Sequence, residues 1–365
     1  MSEFAFELEL CAALEARSDD IVARQLGASV ASPGARIVDV AVIEPGPAFE
    51  ARTQLTPATI PDVAIAADVG PGRWRRVRDA FDCHPERARA AVDRAVEIGF
   101  FERERRDGSE YVRQVARYPD WFDRIVGIEN KPDLGTPGDL ARQLRIDASL
   151  GLFDVAILAT ESHVTGAHRN RIPDEIGLWR VHRDADVEIE VLREPVPLAV
   201  DEYGIEPVEY TPGRTDVVPV SPERKARARR RIAERAYGKG WRTFGFPACA
   251  NGSPGGRTPG SRTSGGRTSG GRTLGSHDVG DGTPADPSTD SETPARSEKP
   301  TLPYCSWKGR VVDAAVECGP ACDGYEQSDP PAVDLDRERD ARTPWVADPS
   351  GAARRQSGLD RFDER

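Results

Sequence analysis

The run Ile125 to Asp133, Ile-Val-Gly-Ile-Glu-Asn-Lys-Pro-Asp, places a carboxylate and an ammonium two residues apart beside an apolar stretch. Alternate side chains of a strand share a face, so Glu129 and Lys131 are expected to point the same way. Opposite charges on a core strand are costly unless they work together. Lysine is scarce in this chain: five of the fifty basic residues are Lys, and Lys131 is the only one before position 225. Two further carboxylates have a comparable setting. Asp39 lies in the alternating run Arg36 to Ile43, with Val38, Val40 and Val42 on one face and Ile37, Asp39, Ala41 and Ile43 on the other. An isolated acid on such a face must meet a metal or a cation. Glu7 falls within the stripe Phe4, Leu8, Cys11 and Leu14 of a helix expected over residues 4–16. It is either turned inward or a boundary residue whose stem packs while its head reaches water.

The elements that must position these groups follow from periodicity and punctuation. Residues 60–118 read as a separate small module: a helix led by Gly72-Arg73-Trp74-Arg75-Arg76 and ending near Asp82, a second helix from Pro85 to Ile98 stopped by Gly99, and a hairpin turning at Asp107-Gly108. Two helices followed by a two-stranded hairpin, with Arg along it, resemble a winged helix-turn-helix. Such a module either binds DNA, with Arg73, Arg75 and Arg76 contributing, or is architectural, since Glu102, Glu104 and Glu110 dilute its charge. After Lys131, Thr136-Pro137-Gly138-Asp139 opens a helix carrying Leu140, Gln143, Leu144 and Asp147 and ending at Gly151. A short apolar strand, Phe153 to Ala159, and a hairpin from Ile176 to Leu192 turning at residues 184–186 come next. Ser221-Pro222-Glu223 opens a helix to about Tyr237. Nine basic residues lie between Arg224 and Arg242. Arg227, Arg230 and Arg231 among them either attract phosphates or are balanced by neighbouring acids.

The order of these elements resembles the PD-(D/E)XK, or restriction-endonuclease-like, nuclease superfamily, whose core is a helix, three strands, a helix and a further strand. The resemblance spans roughly residues 4–195. It implies an α/β fold with a mixed sheet flanked by helices, an inserted winged helix and a Mg²⁺- or Mn²⁺-dependent deoxyribonuclease of DNA repair or replication. By resemblance Asp39 and Glu129 are the metal ligands, Lys131 the lysine, Glu7 the first-helix acid and Gln143 the polar residue of the second helix. The chemistry agrees: Mg²⁺ takes hard oxygen ligands, a metal-bound water attacks phosphorus, and a cation offsets the developing charge. Asp39 is not preceded by Pro, whereas Pro119-Asp120 has the literal pairing, which leaves Asp120 as the other candidate ligand. The competing function is a non-catalytic winged-helix DNA-binding or regulatory protein.

Net charge −11, built from Asp, Glu and Arg with little Lys, resembles the surfaces of salt-adapted, haloarchaeal proteins and requires any nucleic acid to meet a local basic patch. No apolar run reaches the ~20 residues of a membrane span, and the N-terminus lacks a basic region followed by an apolar run, so a cytoplasmic protein is expected. Residues 250–300, with Gly-Gly-Arg-Thr-like repeats every five residues, read as a flexible linker. Beyond it a Cys-rich module contains Cys305, Cys318 and Cys322, with Cys249 just before the linker. Four thiolates suit zinc or an iron–sulfur cluster, and free thiols are the alternative. Residues 327–365 are expected to be a disordered tail. Its Gln356, Leu359 and Phe362 resemble the clamp-interaction peptide of replication proteins, which implies the sliding clamp as a partner.

Overall fold

The computed structural model describes residues 2–32, 34–135, 138–183, 187–255 and 301–342. The 184–186 turn, Thr136-Pro137, most of the repeat segment (256–300) and the clamp-like residues Gln356, Leu359 and Phe362 lie outside these.

Helix α1, Glu3–Arg17, starts where Ser2 accepts from the Ala5 amide, and it carries Glu3 in its first turn and Arg17 in its last. Strands β1, Ile21–Gly27, and β2, Ile37–Pro45, follow. The first of these has no sequence signature because Ile21, Val22 and Ala23 are all buried, which erases the two-residue period. In β2 the expected faces hold only in part: Val40 and Val42 share one cluster, but Val38 packs with Ala41 and Ile43 in the other. The alternation breaks at Asp39, opposite Gln25, whose φ of 53° departs from extended backbone.

Between β2 and the next sheet strand lie α2, Phe49–Thr53, and the inserted module: α3, Asp62–Ala66; β3, Arg75–Arg76; α4, Val77–Ala80; α5, Pro85–Glu97; β4, Phe101–Arg106; and β5, Ser109–Gln114. Its strands pair in the order β3-β5-β4 around a core that includes Ile60, Val92, Phe100, Phe101 and Val112. The hairpin turns at Asp107-Gly108 with both φ positive, as expected. The helix expected up to Asp82 is one turn only. Arg75 and Arg76 are drawn into pairing with Val112 and Tyr111, and tertiary pairing overrides local propensity.

Strand β6, Phe122–Asn130, returns to the main sheet. It is followed by α6, Leu140–Leu150; β7, Val155–Thr160; α7, Gly166–Arg169; β8, Gly177–Arg183; and β9, Val187–Arg193. Helix α6 begins later than the Thr136-Pro137 signal suggested, and ends at Gly151 in the left-handed conformation. The six-stranded mixed sheet has the order β1-β2-β6-β7-β8-β9, with β6, β7 and β8 parallel and the other pairs antiparallel. Helix α1 covers one face through Phe6, Leu8 and Leu10 against Val40, Ile128 and Ile157. On the other face α6 packs through Leu140 and Leu144 against Leu158 and Leu178. Gly127 lies under the Phe153 ring, where any Cβ would collide with it.

A hairpin of β10, Gly204–Thr211, and β11, Arg214–Val220, has no sequence counterpart, because Pro207 and Pro219 read as breakers. A two-stranded edge tolerates them. The basic helix, α8, Pro222–Lys239, is not a detached basic unit. Its Ala228, Ile232, Ala233, Ala236 and Tyr237 fill the core beside Ile21, Ala23 and Ile43. The chain continues through β12, Gly252–Pro254; β13, Pro303–Cys305; β14, Arg310–Val311; α9, Ala314–Glu317; and α10, Leu335–Arg342. Two expected boundaries are therefore corrected. Gly252–Pro254 pairs with Pro303–Cys305 instead of belonging to the linker, and the tail contains α10, which Glu338 ties to Arg242 and to the Thr301 amide. Among the described residues no helix is long and apolar enough to cross a membrane.

One buried pair joins the inserted segment to the core. Arg52 is fully buried; it donates to both Glu234 carboxylate oxygens at 2.7 Å and to the carbonyls of Thr56 and Ala58. Arg52→Ala leaves a buried carboxylate uncompensated and should destabilise the fold by about 3–5 kcal/mol. Replacing both partners with apolar residues, Arg52→Met with Glu234→Leu, should recover most of that loss. Denaturant unfolding of the three proteins checks this, and equal losses in the single and double variants would count against it.

Candidate functional site

The antiparallel pairing of β2 with β6 brings together residues far apart in sequence. Val40 opposes Ile128 as the outermost pair of this ladder, and Asp39 and Glu129 are the next residues beyond it. Asp39 Oδ2 accepts from the Asn130 amide at 2.8 Å, across 91 positions of sequence. Gln25 links this pair to α1: its Nε2 donates to Asp39 Oδ1 at 3.2 Å and to Glu7 Oε2 at 2.9 Å. Arg24 pairs with the other oxygen of Glu7, so Glu7 is buried and turned inward. Glu3, one turn earlier on α1, receives the Lys131 ammonium.

Glu129 and Lys131 do not act on a common face. Glu129 is buried and accepts from Arg36 Nη2 at 2.8 Å; the same guanidinium grips Asp147 of α6 at 2.6 and 3.1 Å. Lys131 reaches the opposite way, to α1. It follows the last residue of β6 and precedes Pro132, so strand alternation no longer dictates its direction. Between them Asn130 is 6% exposed, yet neither polar atom of its side-chain amide has a partner. A buried amide left unsatisfied is uncommon and points to a missing partner.

The cluster has more acidic than basic side chains. Glu3, Glu7, Asp39, Glu129 and Asp147 face Arg24, Arg36 and Lys131. Burial raises Glu7, Asp39 and Asp147 above the ordinary carboxylate range, although Arg24 opposes it at Glu7 and Arg36 at Asp147. Glu129 is pushed up to about 8, first by burial and then by repulsion from Asp39 and Asp147, with Arg36 pulling the other way. Oxygen donors in excess of basic groups, with an orphaned amide oxygen, are of the type a hard cation such as Mg²⁺ takes. Among the described residues, no three acidic, His or Cys side chains are set to hold a metal ion together. Arginine serves as the counter-ion at Glu7, Glu129 and Asp147.

Other expected site residues lie elsewhere. Gln143 is half-buried one turn before Asp147, and it is Asp147 that meets Glu129 through Arg36. Asp120 is exposed, in a groove with Arg117, Tyr118 and Arg230. In the module Arg73 is exposed, Arg75 pairs with Asp68 and Arg76 donates to Ser109. On α8, Arg227 is exposed and Arg230 half-buried, whereas Arg231 donates to the Ser29 carbonyl at 2.6 Å. Several basic residues of the expected patch are inward staples: Lys225 and Arg229 bind backbone carbonyls, and Arg242 holds Glu15. Arg24, Gln25, Arg36 and Asn130 carried no sequence signal of their own. Asp147 did, as an acid four residues after Gln143 on the same helix.

Glu129 keeps its proton in the fold up to about pH 8, against an ordinary value of 4.5. Between those values the folded chain binds more protons than the unfolded chain. Its contribution to stability is therefore full below about 4.5 and is lost as pH rises through the folded value. Urea midpoints of the parent should fall from about pH 5 to about pH 8, and Glu129→Gln should lessen the fall. Parallel curves would refute this.

Residues 21–263 match a family described as "Family of unknown function (DUF5787)". No curated protein and no solved structure matches the chain. The matched span takes in Asp39, Glu129, Lys131, Asp147 and the inserted module, and leaves out α1 with Glu3 and Glu7. Because that span is most of its length, the chain belongs to the DUF5787 family.

Proposed function

We propose that this protein is a Mg²⁺-dependent DNA nuclease with a restriction-endonuclease-like core, aided by a winged-helix module. The reading rests on one observation above all: the Asp39 carboxylate on β2 accepts from the Asn130 amide at the end of β6, between Glu129 and Lys131, with the acidic side of α1 alongside. The order α1, β1, β2, β6, α6, β7 supports it, being a helix, three strands, a helix and a further strand. In this reading Asp39, Glu129 and the free Asn130 oxygen supply the ligands. Bound Mg²⁺ would supply an activated water and charge stabilisation at phosphorus. Lys131 leaves Glu3 to offset charge on the phosphate, and Glu7 with Gln25 keeps Asp39 oriented. Arg36 holds Glu129 and Asp147 in place.

Purified protein with Mg²⁺ or Mn²⁺ is expected to cut single-stranded, duplex or branched DNA, with Lys131→Ala and Asp39→Asn slowing it by about 10²-fold or more while DNA is still bound. No cleavage of any of the three, or a Lys131→Ala protein as fast as the parent, would overturn the reading. An independent readout is proton release: Mg²⁺ binding near neutral pH must ionise Glu129, so calorimetry in buffers of different ionisation enthalpy should detect it.

A second reading, a non-catalytic winged-helix DNA-binding or regulatory protein, is favoured by the module itself. Its helix, strand, two helices and hairpin, with strand order β3-β5-β4, suit such a unit. Here Glu129→Ala leaves affinity and function intact, and replacing Arg73, Arg75 and Arg76 abolishes binding. The first reading requires Glu129→Ala to stop cleavage.

A further inference from the structure

Four of the six cysteines converge on one small unit at the end of the described chain. Its sheet, β12-β13-β14, has strands of three, three and two residues. Cys249 lies three residues before β12 and bridges to Gln327; Cys305 closes β13 opposite Gly252 and Arg310; Cys318 follows α9, and Cys322 comes four residues later. Three separate stretches of chain thus bring thiols to one end of one sheet. Contacts tie these stretches to one another: Cys249 Sγ and Asn251 donate to the carbonyl of Gly324, two residues after Cys322, and Lys308, three residues after Cys305, holds Glu317, the neighbour of Cys318.

This unit has little else to hold it. Among its described residues the large aliphatic side chains that are buried are Leu302, Val311 and Val312, and all four cysteines are free of disulfides. Units below about 40 residues with so small a core usually depend on disulfides, metals or association. Cys305 accepts from the Lys308 amide at 3.5 Å and Cys249 from the Glu326 amide at 3.4 Å. Backbone amides that donate to sulfur are contacts a metal-bound cysteine can keep. After Cys322 the chain folds back under Trp307, whose ring lies where a Cβ on Gly324 would have to be.

We propose that Cys249, Cys305, Cys318 and Cys322 close around one zinc ion as a structural site. Four thiolates without an open position are the donor set of structural zinc, with Zn–S bonds of about 2.3 Å. Among the described residues no three donors are already set for a metal, so loading must draw the half-buried Cys318 and Cys322 inward onto the buried Cys249 and Cys305. Four S–H bonds lose their protons to solvent and four S–Zn bonds form, with no change of oxidation state. The site is independent of the proposed cleavage chemistry, lying on another sheet.

Elemental analysis of the purified full chain tests it. One zinc per chain is expected, falling to none in Cys305→Ser and in Cys318→Ser and staying at one in Cys83→Ser. Should the serine variants fail to fold, the metal-stripped parent titrated with Co²⁺ is expected to develop the visible bands of tetrahedral cobalt thiolate, saturating at one equivalent. Absence of both zinc and a cobalt spectrum overturns the proposal. So does full zinc in Cys318→Ser, and so does iron with a visible cluster absorbance in place of zinc.

Discussion

Burying carboxylates on a sheet is the constraint on which the rest of this molecule depends. Glu129 and Asp147 are both buried, and neither could stay charged there without a cation. Arg36 grips Asp147 and also donates to Glu129, which burial keeps protonated, joining the end of β6 to α6 through a planar fork that a lysine could not offer. On the other side of the sheet Arg24 does the same for Glu7, and Gln25 carries the connection on to Asp39. The result is a continuous polar seam through an otherwise apolar sheet, with more acid than base in it.

The same device recurs wherever elements distant in sequence join. Arg52 with Glu234 fastens the segment leading into the inserted module onto α8, and the Tyr118 hydroxyl donates to that same carboxylate. Arg242 holds Glu15 of α1, beside Trp241, which donates to the same acid. Arg229 holds Asp154, just before β7. An arginine-rich, lysine-poor composition therefore has an internal meaning besides its effect on the surface. Much of the apparent basic patch on α8 is consumed in these joints, which explains why a chain of net charge −11 can carry so basic a helix without a broad positive face.

The inserted module explains the long gap between the acids. Strand pairing is indifferent to loop length, since closing a longer loop adds only slowly to the entropic cost. A unit with its own core and its own sheet can therefore sit between β2 and β6 without disturbing the register that sets Asp39 beside Asn130. Lysine 131, free of the strand period beyond Asn130, is the one group of the seam with a largely accessible partner, Glu3.

Sequence alone determined whatever is local. The α1 stripe with Glu7, the Asp107-Gly108 hairpin, α5 stopped at Gly99, the Gly151 end of α6 and the apolar run of β6 were all legible, because capping, turn chemistry and periodicity act over a few residues. Tertiary structure decided what those elements do to one another. It drew β1 into the sheet although burial on both faces hides its period, and it turned α8 inward. It sent Glu129 and Lys131 to opposite sides, and put Asp147 instead of Gln143 against the seam. The choice of partner for a buried charge depends on which elements pack together and in what register, and that is not written in the spacing of any one of them.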